Sequence, residues 1–145
     1  VRAIHDVSTD LEDPPAFVAL RERPGATNPI EHGGAEIARR QREGYPDLGP
    51  LALPLPPAAA TRRAAEVADD LGWEIAAVDT ADGRVEATDR TRWFGFHEDV
   101  VVRVTPQGTG SRVDVRSQSR VGETDAGSNA RRIRTFLARL REGGA

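Results

Sequence analysis

The chain has no cysteine and no lysine. The first absence removes disulfides, thiolate nucleophiles and thiolate metal ligands together. The second removes Schiff-base chemistry. All 20 basic residues are therefore arginine, set against 23 acidic ones, and a net charge of -3 does not favour a nucleic-acid partner. Long apolar runs are missing too: nothing approaches the ~20 residues of a membrane-spanning helix. No phosphate loop, dinucleotide fingerprint, internal repeat or Gly-x-Ser-x-Gly elbow occurs, and since the sequence starts at Val rather than Met, with no signal peptide within it, an upstream segment is expected.

What is present is an ordinary soluble composition, 38% hydrophobic and 30% charged over 145 residues, which is enough chain for one domain with a real core. Its most ordered stretch lies near the end. From Val113 the chain alternates strictly: Val113, Val115, Ser117, Ser119 and Val121 fall on one face, Asp114, Arg116, Gln118 and Arg120 on the other. That is a half-buried strand. Gly122 ends it, Asp125 or Ser128 offers a helix N-cap, and Ile133, Phe136, Leu137 and Leu140 form a core-facing helical stripe up to Gly143-Gly144. Asn129, one turn before Ile133, points its amide toward the sheet.

Upstream, Ala60, Ala64, Val67, Ala68 and Leu71 space a helix over 58–71, stopped by Gly72. Strands are predicted over 73–78, 84–91 and 98–104, with a hairpin turn at Ala81-Asp82-Gly83 and another turn over 106–110. The economical fold is α+β: a two-layer sandwich, with a four-stranded antiparallel meander and two helices on one face. Residues 58–145 make this core. Residues 1–57 read as an irregular N-terminal strap, with an edge strand over 2–7, a short helix over 34–43 carrying Ile37 and Gln41 on one side, and a proline-spaced extended stretch anchored by Tyr45, Leu48, Leu51, Leu53 and Leu55. The strap is expected to cover part of the polar sheet face that carries Asp99, Val101, Arg103, Asp114, Arg116 and Gln118.

Several constellations bear on chemistry. Arg116 and Arg120 share a strand face about 13 Å apart. They read either as a fork for a carboxylate or phosphate, or, as favoured here, as cross-strand partners of Asp99, Glu86 or Asp114. Ser119 and the amides after Asp125 could hold an anion, but Asp125 already fills that role, so Asp125 and Asn129 read as structural. His97 and Asp99 are the sole pair of adjacent ligand types on one strand face; His5 and His32 have no partner at ligand spacing, and no metal or cofactor is expected. A triad of Ser117 or Ser119 with His97 and Asp125 lacks an exposed nucleophile. Trp93, Phe94 and Phe96 cluster at a strand corner, as sheet-end core or as the mouth of an apolar pocket.

The segments RSQSRVG and TDAGSNARRIR resemble the signature RSxSRxGxSDxGxNxxRI of the DUF1499 family, an uncharacterised bacterial family. FGFHEDVVVRV is similar to the family's F-x-D-D-V segment, with Glu98 where Asp is usual; Thr124 stands where Ser is usual. IHDVSTDLEDPPAF and QREGYPDLGPLAL resemble the branch whose chains begin with membrane helices. The resemblance implies a membrane anchor before this domain and a place on the periplasmic side of the inner membrane. With no coherent catalytic set in sight, the expectation is a non-enzymatic binding or interaction domain for a protein partner or small anion. The candidate contacts are Arg116, Arg120, Ser119, Asn129, Asp99, Arg103, Trp93 and Phe96. The alternative is a small hydrolase or isomerase with a pocket near Trp93, Phe96, His97 and Asp99.

Overall fold

The computed structural model describes residues 6–21, 34–90, 97–120 and 126–143. The predicted roles of Trp93, Phe94, Phe96, Val121, Gly122, Asp125, His5 and His32 lie outside the described residues. Among the described residues the chain forms an open antiparallel sheet of six strands with three helices: β1 (Asp6–Ser8), α1 (Gly34–Gly44), β2 (Leu51–Leu53), α2 (Pro57–Asp70), β3 (Glu74–Asp79), β4 (Arg84–Arg90), β5 (His97–Gln107), β6 (Gly110–Ser119) and α3 (Ala126–Gly143). The class is α+β, as expected, but the sheet has six strands rather than four. The extra two come from the predicted strap, and both add to β6 on the side away from β5: β1 opposite 116–118 and β2 opposite 111–113.

Local chemistry accounts for the boundaries. Pro56 and Pro57 open α2, where a missing N–H costs nothing. Its end is closed by Gly72 at φ +83, with Trp73 N–H donating to Ala68 O at 3.0 Å and Gly72 N–H to Asp69 O at 2.9 Å. Gly83, at φ +70, makes the β3–β4 turn, and any side chain there would strike the Val104 carbonyl. The expected turn over 106–110 is shorter than predicted, because β5 continues through Pro106 to Gln107. Proline survives there since the ladder to β4 ends at Arg103, leaving that side of β5 an open edge. Ser128, one of the two predicted caps, lies inside α3 instead.

The core gathers on one sheet face. Val85, Ala87, Val100, Val102, Val104, Val113 and Val115 meet Ala60, Ala64, Val67 and Ala68 of α2 and Ile133, Phe136 and Leu140 of α3 in one buried cluster. Trp73 stacks on Phe136 with centroids 5.4 Å apart. Each large apolar side chain of this cluster contributes about 1.5–3 kcal/mol by leaving water. Leu51 and Leu53 of the strap join the same cluster, Leu48 and Leu55 pack against it, and Arg134 of α3 clamps the strap by donating to both oxygens of Asp47 at 2.8 and 2.7 Å. No helix among the described residues is long and apolar enough to cross a membrane.

Candidate functional site

β6 presents polar residues to two layers at once. On the core side, Ser117 donates to Asn129 Oδ1 at 2.7 Å and Asn129 Nδ2 donates to Ser119 Oγ at 3.0 Å. Arg132 completes this buried set: its Nε donates to Asp89 at 2.8 Å and its Nη1 to Asn129 Oδ1 at 3.0 Å and Ser117 Oγ at 3.2 Å, while Nη2 reaches the Ser128 hydroxyl. These bonds tie the first turns of α3 to β6 at the end of the core where the valines stop. A satisfied network of this kind fixes helix register, because each member would be orphaned by a shift.

On the far face the N-terminal segment supplies the partners. Arg116, only 4% exposed, donates to both carboxylate oxygens of Asp6 at 2.9 and 2.7 Å and to the Pro15 carbonyl at 3.0 Å, with its guanidinium 5.0 Å above the Phe17 ring. Gln118 also donates to Asp6. Glu86 lies fully buried and accepts from the backbone amides of Val18, Ala19 and Leu20 at 2.8–3.1 Å. Asp114 accepts from Thr9 and Arg112. Asp10 accepts from the amides of Glu12 and Asp13 and from Arg103. Burial alone would raise the pKa of Asp10, but those amides and the charges of Arg103 and Arg112 outweigh it and hold the carboxyl below its ordinary value. Gln41 of α1 closes the outer edge of β1, accepting from Ser8 N–H at 2.9 Å and donating to Ser8 O at 2.6 Å.

The described part of the cover reaches one end of the sheet at Leu20. There a cleft of about 160 Å³ opens between Leu20, the β3 residues Glu74, Ile75 and Ala76, and Thr88, Arg90, His97 and Arg120. Arg120 forks onto Asp99 at 2.8 and 2.9 Å, and its Nη1 has no partner among the described residues. Arg90 donates through Nε to His97 Nε2 at 3.0 Å and meets no carboxylate among the described residues. Two guanidinium groups therefore line one small opening, with hydrogen-bond donors left over and an apolar wall beside them.

The predicted site residues are not assembled as one site. Arg120 alone of the Arg116–Arg120 pair reaches the cleft; the carboxylate of Arg116 is Asp6, not Asp99, Glu86 or Asp114 as expected, because β1 lies against β6. Ser119 and Asn129 sit on the opposite face in the network to α3. Arg103 binds Asp10 and the Asp13 carbonyl. Asp99 is fully buried beneath Arg120 and Thr88, so His97 reaches the cleft and Asp99 does not. The hydrolase or isomerase reading requires a pocket enclosing both His97 and Asp99; this cleft includes His97 alone of the two. Trp93 and Phe96 lie outside them. No group of three His, Asp or Glu side chains is arranged for a metal among the described residues. Sequence reasoning passed over Arg90, whose signal was its place on the Glu86–Thr88–Arg90 face, and Arg132, which lies three residues after Asn129 on α3.

Comparison with curated proteins gives no match. Among solved structures, the chain is similar to Ara h 8.0201, with 11% identity and a TM-score of 0.50 over 65% of this chain and 93% of that one. At that identity the likeness concerns the fold alone. Proteins from Chromobacterium violaceum and Thermus thermophilus align at 14% identity and a TM-score of 0.38, over 64% and 67% of this chain and 94% and 97% of theirs. The family model is more telling, because the two-sided polar set of β6 and α3 coincides with the signature quoted above. That model, described as a protein of unknown function (DUF1499), matches residues 6–140, and the chain belongs to this family.

Proposed function

We propose that the domain binds a small anion, a carboxylate or phosphate, in the cleft between Arg90 and Arg120. One observation carries the reading: Arg90 sits beside a second guanidinium at an opening and forms no ion pair among the described residues, with Glu74 the one carboxylate in the lining. Most other arginines of this face are matched. Arg84 meets Asp82 and Glu86, Arg103 and Arg112 meet Asp10 and Asp114, and Arg116 meets Asp6. Guanidinium donors suit planar or tetrahedral oxyanions. A volume of about 160 Å³ lies below the ~300–1,000 Å³ of pockets for larger organic ligands, which favours a ligand of few heavy atoms. The hydroxyl of Thr88 is engaged by Asp99, and the leftover groups that line the cleft are mainly guanidinium donors, so binding rather than turnover is the reading.

Thermal unfolding in the presence of sulfate, phosphate or acetate tests it. A ligand that binds only the folded state stabilises it by about 2.7 kcal/mol at a hundredfold excess over its Kd. The melting temperature of the wild type should rise with at least one of these anions, and that of Arg90→Ala should not. Equal shifts in the two proteins would place the binding elsewhere. On the family resemblance alone, the domain is further proposed to face the periplasm behind a membrane anchor. Reporter fusions to the full-length protein, active in one compartment and silent in the other, decide that point.

A further inference from the structure

We propose that the chain carries a second site, a groove beside the C-terminal half of α3 that takes a medium-chain alkyl carboxylate. The groove runs between strap residues 47–51 and Arg134, Leu137, Ala138 and Arg141 of α3, with a volume of about 330 Å³. It shares no residue with the Arg90–Arg120 cleft and does not depend on it. All of its lining residues are among those described. The sequence accounts for the opening. Leu48, Leu51 and Leu137 set large apolar side chains against the core, and Pro50 extends the strap wall. Between them stand Gly49, with no side chain, and Ala138, with a small one. A Cβ at Gly49 would meet nothing within 4 Å, and Ala138 is exposed, so the space between the walls is left unfilled.

Both walls are fixed before anything binds. Leu51 pairs with Val113 in the sheet, and Arg134 holds the strap through its two bonds to Asp47 while lying 5.6 Å over the Tyr45 ring. A preformed groove spares a ligand the entropy of ordering it. Charge then selects the ligand. Of the three charged groups in the lining, Asp47 and Arg134 neutralise one another, and the hydrogen bonds from Arg134 hold the Asp47 carboxyl below its ordinary value. Arg141 forms no ion pair among the described residues. One unmatched guanidinium beside leucine, proline and alanine walls suits a single anionic head on an aliphatic chain. The carboxylate is held by paired N–H donors of Arg141, and the chain lies along Leu48, Pro50 and Leu137. A volume at the lower end of the ~300–1,000 Å³ of organic-ligand pockets fits one chain of medium length rather than a whole phospholipid.

Calorimetric titration of the intact protein with acetate, hexanoate and octanoate, all below micellar concentrations, tests the site. Octanamide, which keeps the chain and lacks the charge, is the control. Affinity should rise about two- to fourfold for each added CH₂, and octanamide should bind more weakly than octanoate. Ala138→Trp fills the groove from an exposed position. It should keep the wild-type circular dichroism and melting temperature while weakening octanoate by roughly tenfold or more, through the lost chain contacts. Arg141→Gln should weaken octanoate and leave octanamide unchanged. Arg90→Ala should bind octanoate as the wild type does; a loss there would put the chain in the other cleft and overturn the groove. The proposal also fails if octanoate does not bind, if affinity ignores chain length, or if Ala138→Trp binds octanoate undiminished.

Discussion

Arg116 holds a carboxylate, a backbone carbonyl and an aromatic ring simultaneously while almost wholly buried. A buried ion pair gives little net stability against an apolar replacement, but removing one partner strands the other charge, at about 3–5 kcal/mol. Arg116→Ala should therefore lower the free energy of urea unfolding by about that amount, and Asp6→Asn by less, because Gln118 still donates to the amide oxygen. Their effects should be strongly non-additive. Additive losses in a double-mutant cycle would mean that the pair does not hold the two layers together. The contrast with Arg90 lies in surroundings rather than residue type: one arginine is enclosed with its carboxylate, the other is exposed and pairs with none among the described residues. Sequence could not separate them, since both stand on alternating strands with the same neighbours in kind.

At the scale of elements, long periodic segments were legible and short ones were not. β6 and α3 carry strict two-residue and three-to-four-residue periods, so their faces followed directly, and the inward amide of Asn129 with them. β1 meets the edge strand expected over 2–7 at Asp6 and Val7, residues 2–5 lying outside the described ones, whereas β2 falls in a stretch read as extended strap; each is three residues, too short for a period to register. They become strands because β6 offers an open edge, and that depends on partners some 60 to 110 residues away. The extended chain over 9–20 is likewise shaped by anchors rather than by propensity, Glu86 and Asp10 above all. Asp10 makes this testable by pH. Its folded pKa is lowered, so its contribution is fully present above the ordinary value of 3.8 and is lost as pH falls through the lower, folded value. The stability difference between wild type and Asp10→Asn, on the order of 1–2 kcal/mol near pH 6, should shrink below pH 4 in urea titrations. A difference that stays constant down to pH 2.5 would show that the carboxylate's charge is not what anchors the segment.

For the whole molecule, the sheet lies between two covers of different character. α2 and α3 bury an apolar face that Val7, paired with Ser117, joins, while residues 6–20 bury a charged one with matched hydrogen bonds and Phe17 as its large enclosed apolar side chain. The strap, expected from the sequence to cover part of the polar face, makes the second of these covers through its bonds to Glu86, Arg103, Asp114 and Arg116. Since β6 faces both covers, alternate residues of one strand transmit any loosening from one to the other: Arg116 and Gln118 outward, Ser117 and Ser119 inward. Removing residues 1–21 would uncover Val7's site on β6, the Phe17 site and the partners of Arg116 and Glu86 together. Against a typical domain stability of about 5–15 kcal/mol, losing two buried apolar side chains at about 1.5–3 kcal/mol each and a buried pair besides should abolish cooperative folding. The truncated chain is expected to lose its near-ultraviolet circular dichroism and its sigmoidal urea transition while keeping helical signal in the far ultraviolet. If instead it unfolds in one sharp transition with Trp73 still packed on Phe136, the helices and β3–β6 are self-sufficient, and the N-terminal segment is free to move without cost to the core.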